Sequence, residues 1–306
     1  MAEGYNFGQD GPYYNGQMML PHRFPPDPSG KSYYVDANVA AAGDGSSWDE
    51  AFSLIASGLA AADTQIGLSA NRAWARRNTV YYCGDYISEA LVLAAEKTDL
   101  IGVGSDGGSF PRVVGNFTIG TAVQSFRIIN MGFMPTSTSP GITFPSGMHG
   151  WEMHYVTIFK NTSYTCSAQL LSTDSRGFIM DNVRILPDNA GALSTIGFNI
   201  AGTTSGVGQC KITNCEIHGT EAFNVVLTSA YYEGAIAKRT LFKATNLAAD
   251  ENSDSILFVD CRFVTAAAAG DANGVGIVDI EPINMVACEA VSSDSWGPIP
   301  NLNALS

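Results

Sequence analysis

The sequence predicts an all-β solenoid in which a strand, a corner and a second strand stack about ten times. Three observations predict it. An eight-residue pattern, apolar at positions one, three, six and eight, occurs seven times. Its starts lie 25, 27, 32, 25, 21 and 27 residues apart. Position five is Asn or Asp in four of the seven copies.

The copies are FRIINMGF (126–133), WEMHYVTI (151–158), FIMDNVRI (178–185), CKITNCEI (210–217), AIAKRTLF (235–242), ILFVDCRF (256–263) and INMVACEA (283–290). They offer 28 inward positions, and 27 are apolar, with Thr240 the exception. At the chain's own 45% hydrophobic content, about 13 would be apolar. Alternation within each half marks strands. A flat strand would turn position six outward, so the chain must bend near position five for both arms to face one core. Asn130, Asn182, Asn214 and Asp260 stand there. Asn and Asp tolerate the left-handed backbone of a sharp bend better than other non-glycine residues. Stacked corner asparagines are also expected to bond to one another along the stack.

Residues 1–30, MAEGYNFGQDGPYYNGQMMLPHRFPPDPSG, are rich in Gly, Pro and Tyr and show no strand or helix period. They are expected to form an extended arm held by a partner. Tyr5, Phe7, Tyr13, Tyr14, Met18, Met19 and Leu20 are its expected partner-binding residues, because aromatic and Met side chains are favoured at interfaces. The alternative is an arm folded back on its own rod. Residues 31–75 hold a first strand, Ser32–Asp36, and a capping helix. Ser47 or Asp49 is expected to cap that helix, with Glu50 in its first turn. Phe52, Ile55, Leu59 and Ala62 then share one face. Laid across the open end, such a helix covers a raw sheet that would invite further pairing. Residues 76–290 form the solenoid. Ahead of the first octet, TVYYCGDY, DLIGVG and RVVGNFTIG are strand candidates. With the octets they give about ten coils, a rod of about 50 Å at about 4.8 Å per coil. Residues 291–306 carry two prolines and no repeat, and are expected to close the far end or pack alongside.

CKITNCEI, with Asn at the corner and Cys after it, resembles a rung of the right-handed parallel β-helices of the pectate-lyase-like superfamily. KSYYVDANVAAAGDGSSWDEAFSLIASGLAAAD (31–63) is similar to the entry segment of many such β-helices, phage tail-spike and other virion proteins among them. The resemblance covers roughly residues 31–290. It implies a single-stranded, right-handed parallel β-helix. It also implies one of two callings, polysaccharide cleavage or service as a structural part of a virus particle, commonly as three rods about an axis.

Composition narrows the choice. The net charge of −13 argues against a partner bound through nucleic-acid phosphates. No apolar run is long enough to span a membrane. MAEGYNFGQD lacks a basic and then an apolar stretch, so no secretory signal is expected. The six cysteines are then expected to be reduced. Cys215, Cys261 and Cys288 share position six and are expected to stack inside as fillers. A metal role for Cys210 and Cys215 is disfavoured by their places on two arms of a bent strand, the lack of any CxxC and only four His. GDGSSWDEAF, with Asp44, Asp49 and Glu50, lacks the acid spacing of a calcium loop. No cofactor or metal is expected.

Glycoside hydrolysis needs carboxylates converging on an exposed groove. The outward acids are Glu152, Asp181, Glu216 and Glu289, with His154 and Arg184 nearby, and Trp151, Tyr231 and Tyr232 could form a sugar platform. Glu152, His154 and Asp181 are the nearest to a catalytic group. Their default reading is a solvated strand face, and no catalytic residue is assigned. Positions two and four also carry Ile129, Ile179, Ile236, Leu257, Val259 and Val286, whereas position seven is mostly polar or charged. An apolar lateral face implies burial against something, either the chain's own loops or C-terminal tail or, as expected here, a self-association face. The expectation is a structural virion protein, a trimeric phage capsid decoration protein anchored to the major capsid protein or another virion protein, assembled in the host cytoplasm. The alternative is a tail spike or fibre that binds or cleaves a host surface glycan.

Overall fold

The computed structural model describes residues 30–67, 77–84, 86–93, 95–104, 111–120, 123–146, 148–175, 177–202, 209–227, 235–251, 256–265, 277–278, 285–291 and 296–298, with the backbone of 7–8, 11–14 and 17–18. The body is a parallel β-helix with three ladders. The first has ten strands, from Ser32–Asp36 through Asn78–Cys83, Thr98–Val103, Arg127–Ile129, Glu152–His154, Ile179–Asp181, Lys211–Thr213, Ala235–Lys238 and Ile256–Val259 to Met285–Val286. Each strand pairs in parallel with the next coil's strand, so that Ile128 lies beside Leu100 and Met153, and Met180 beside Ile212. Ten strands match the expected coil number, with one change of membership. Ser32–Asp36 is itself a rung, whereas RVVGNFTIG supplies Arg112–Val114 and Phe117–Ile119 to the other two ladders.

The bend at position five is present in every octet. Asn130, Tyr155, Asn182, Asn214, Arg239, Asp260 and Ala287 all have φ between 49° and 55°. From Asn130 to Asp260, each corner amide donates to the position-four carbonyl of the following coil at 2.9–3.1 Å. The expected asparagine-to-asparagine bonds are not formed. Asn214 Nδ2 donates to Asp181 Oδ1, and Asn130 Nδ2 donates to the Gly102 carbonyl, each at 2.9 Å. A second left-handed residue precedes the octet at Ser125, Gly150, Gly177 and Gln209, with φ of 55–67°. The first-ladder strand is thus folded sharply at both ends.

Beyond the corner, the second ladder holds Tyr86–Ser88, Arg112–Val114, Gly132–Met134, Thr157–Phe159 and Arg184–Leu186, and continues through Arg262–Thr265 to Glu289–Val291. The third ladder holds Phe117–Ile119, within the strand candidate RVVGNFTIG, and otherwise runs through stretches the sequence pattern leaves as loops: Leu91–Leu93, Ile142–Phe144, Ala168–Thr173 and Ile196–Gly202. Two long strands, Glu216–Leu227 and Leu241–Glu251, pass from the second ladder into the third without a break. Their pairing slips at Gly219, where a Cβ would lie 2.1 Å from the Glu221 carbonyl oxygen. The extra residue lies in Leu241–Glu251, between Ala244 and Leu247, and only glycine fits opposite it at position 219.

Ile283 and Ala290 are outside the described side chains, and every other inward position of the 28 is buried. Trp151 lies between Phe144 and Phe178, ring centroids 3.9 and 4.5 Å away and planes within 7° of parallel. Thr240, the polar exception, donates its hydroxyl to the Lys238 carbonyl. No disulfide joins any of the six cysteines. The Cys261 and Cys288 thiols each donate to the carbonyls of positions three and four, one coil back and in their own coil. Burial pushes Cys210 and Cys215 up to about 12, so both remain neutral thiols.

The N-terminal end is closed by the helix Ile55–Gly67 (α1). Ile55, Leu59 and Ala62 enter the core as expected, and Gly58 lets the helix approach Val35 and Val80 within about 3 Å of where a Cβ would sit. The expected cap is corrected. No acid occupies the first turn. The Glu89 carboxylate, from the next coil, accepts the Ile55 and Ala56 amides at 2.9 Å. Ser47 instead caps a local turn at Glu50. Asn78 ties the helix down, donating Nδ2 to the Ala62 carbonyl and accepting the Lys31 amide. Outside the first rung, Phe52 and Gly45 exchange backbone bonds with Tyr34 and Asp36, which covers that strand's free edge. At the other end Trp296–Pro298 turns back and pairs antiparallel with Glu289–Val291. In the arm, short strands at 7–8, 11–14 and 17–18 pair antiparallel, so this part is a local meander rather than a wholly extended chain.

Candidate functional site

The outer face of the first ladder holds most of the candidate residues, because positions two and four of each rung project away from the core. Register stacks them in two rows. One row reads Asp99, Arg127, Glu152, Ile179, Lys211, Ile236 and Leu257. The other reads Ile101, Ile129, His154, Asp181, Thr213, Lys238, Val259 and Val286.

The N-terminal half of this face is ionic and largely closed to solvent. Arg127 grips Asp99 in a two-point contact at 2.7 and 3.0 Å. Arg77 adds a second contact to the same carboxylate at 3.2 Å and donates to the Ser125 carbonyl. Glu152 Oε2 lies 2.9 Å from His154 Nε2. Burial works to raise the Glu152 carboxyl. The His154 hydrogen bond and the charges of Arg127, His154 and Arg77 outweigh it and hold the carboxyl below its ordinary range.

The structure does bring Glu152, His154 and Asp181 together, since His154 and Asp181 are direct partners on neighbouring strands. Their bonds, however, run along the sheet. Asp181 Oδ1 accepts from Thr213 Oγ1 and Asn214 Nδ2 at 2.7 and 2.9 Å, and His154 is only 2% exposed. A general acid or base must reach a substrate proton; here Glu152 and His154 are bonded to each other and Asp181 to Thr213 and Asn214. Trp151 cannot be part of a sugar platform, because position one points inward and the ring is sealed in the core. Tyr231 and Tyr232 lie outside the described residues.

A second Glu-x-His pair stands on the second ladder, and residue patterning alone did not single it out. Glu216 Oε1 is 2.9 Å from His218 Nε2, while Arg184 approaches Glu216 Oε2 at 2.9 Å from the preceding coil. Burial lowers His218 from its ordinary value, and the Glu216 bond opposes that without reversing it. For Glu216, burial raises, but the bonds from His218 and Arg184 prevail and hold it low. The visible signal was the two-residue spacing, which puts both side chains on one face of a strand. Glu289 is exposed on the same ladder.

The C-terminal half of the first-ladder face mixes apolar side chains with Lys211, Thr213 and Lys238, the last paired with Val259. Leu257 and Val286 are 38% and 49% exposed, and Ile236 and Val259, half-buried, lie beside them. Ile179 is also half-buried, but Lys211 stands between it and Ile236. Ile129 is corrected. It points outward yet is fully buried, flanked on its row by Ile101 and the closed-off His154, so it is not available to a partner. Of the arm's anchors, Tyr5, Met19 and Leu20 lie outside the described residues, as do the side chains of Phe7, Tyr13, Tyr14 and Met18.

Among the described residues, no group of three or more His, Cys, Asp or Glu is placed to hold a metal ion. No described helix is long and apolar enough to cross a membrane. No family model and no curated protein matches the chain.

Proposed function

We propose that the protein is a structural component of a virus particle, a trimeric phage capsid decoration protein anchored through its N-terminal segment. The observation that carries this reading is the apolar cluster of exposed Leu257 and Val286 with half-buried Ile236 and Val259, bordered by Lys238, on the flank of a rod whose described interior is filled. Such a patch on a strand face favours burial against another surface. The pairing of Glu152 with His154, and of Glu216 with His218 and Arg184, also supports a scaffold over a hydrolase. Six cysteines with no disulfide among them suit assembly in a reducing cytoplasm.

Sedimentation of the purified chain tests the assembly. A trimer is expected, with Leu257→Ser/Val286→Ser sedimenting as a monomer of unchanged circular dichroism. Proteomics of purified particles tests the location. A monomeric wild type, or particles without the chain, would refute the reading. New reducing ends on incubation with host capsule or lipopolysaccharide would favour a tail spike instead.

A further inference from the structure

The N-terminal end of the rod carries its own ring of exposed apolar side chains. Tyr86 and Val92, 65% and 69% exposed, project from the first strand of the second and third ladders. Trp48, 40% exposed, stands edge-on to Tyr34 of the first strand of the first ladder, with ring centroids 4.9 Å apart. The three faces of the β-helix thus each contribute one such residue within the first two coils. Leu54, 44% exposed, immediately precedes α1. The body needs none of them for its core.

Charge marks the same end. From Asp36 to Asp63 the chain has five acids and no base. Asp44, Asp49, Glu50 and Asp63 are exposed, the first three on the loop that covers the outer edge of the first rung. Arg72 and Arg76 follow but lie outside the described residues. Between the acids, the solvent side of α1 offers only small groups such as Ala56 and Ala60. The result is a net acidic end, with Lys31 exposed just before the first strand and exposed apolar side chains nearby. Two copies brought together by these ends would set like charges face to face, which disfavours self-association there.

We propose that this end is the foot of the rod, and that it docks on a basic protein surface of the particle whose apolar pockets receive Trp48, Tyr86 and Val92. This rests on the virion reading and adds which end meets the particle and what chemistry receives it. Aromatic anchors in pockets supply affinity, and opposite charge supplies orientation and encounter rate. Gly30, where the arm joins the body beside Arg77, lies at this same end, so arm and foot engage one surface.

Zero-length carbodiimide coupling on purified particles tests it. Asp44, Asp49, Glu50 or Asp63 are expected to couple to lysines of a different protein, with no such product from the purified chain alone. In parallel, Trp48→Ser/Tyr86→Ser/Val92→Ser in the full chain should lower the copies retained per particle about tenfold or more while leaving the trimer intact. Coupling from Asp260 or Glu289 at the opposite end, coupling only between copies of this chain, or full retention of the triple variant would overturn the proposal and leave the virion reading standing. Particles lacking the chain would overturn both.

Discussion

Position five shows how one backbone demand selects residues and where selection has been lax. A left-handed conformation costs an ordinary L-residue about 1–2 kcal/mol, and Asn or Asp less. Asn130, Asn182, Asn214 and Asp260 meet the demand, while Tyr155, Arg239 and Ala287 adopt the same φ at greater cost. Arg239→Asn is therefore expected to stabilise the protein by about 0.5–1 kcal/mol, read as a higher urea midpoint at unchanged slope. Destabilisation would mean that Arg239 makes contacts worth more than the strain. The bend was legible because two signals coincided, residue type and a break in alternation. The burial of Ile129 was not legible, because alternation gives the side a residue faces and not what lies beyond it. His218 and Glu216, together with Glu152, contribute acid sensitivity. His218 is held below its ordinary value, so the unfolded chain takes up a proton that the folded one resists, and stability falls as pH drops below about 6.5. Glu216 is also lowered, so its contribution, present above about pH 4.3, is lost as pH falls through its folded value. Both act in one direction. His218→Gln should flatten the loss of stability between about pH 7 and 5, measured as urea midpoints across that range; a variant that follows the wild type in parallel would exclude the residue.

Helix and strands differ in how far their determinants lie along the chain. The buried stripe of α1 is local, and Ile55, Leu59 and Ala62 were readable from spacing alone. Its start was not, because the cap is Glu89, 34 residues from Ile55 and on another coil. Without that carboxylate two amides at the positive end of the helix lose their acceptor. Glu89→Ala is expected to cost about 1–2 kcal/mol and to speed amide exchange first at Ile55 and Ala56. Uniform exchange across the helix would contradict the cap. Beyond Phe117–Ile119, the third ladder escaped the sequence pattern for a different reason. Its strands follow turns of unequal length, such as Met134 to Ile142 and Leu186 to Ile196, so no fixed offset from the octet finds them. Two of its strands lose the turn altogether at Glu216–Leu227 and Leu241–Glu251. The apolar triplets ITF and FNI were there to be read, but three residues carry little periodicity.

The whole molecule is a stack in which each layer touches only the layers above and below, so stability accumulates by neighbour contacts along one axis. The ends are treated differently, with a helix and a folded-back loop at one and a single antiparallel strand at the other. That asymmetry gives the rod direction, which a particle surface can read. The matching glycines just ahead of two octets, Gly150 and Gly177, carry a further implication. Their φ values are 65° and 67°, so removing residues 151–177 would splice one hairpin-like entry onto another of the same shape. The shortened chain should fold into a stack lower by one storey, about 4.8 Å, seen as a reduced maximum dimension in small-angle scattering. An unfolded product would mean the layers are not interchangeable. If they are, height is a quantity that evolution can add or subtract a floor at a time, without redesigning the foundation or the roof.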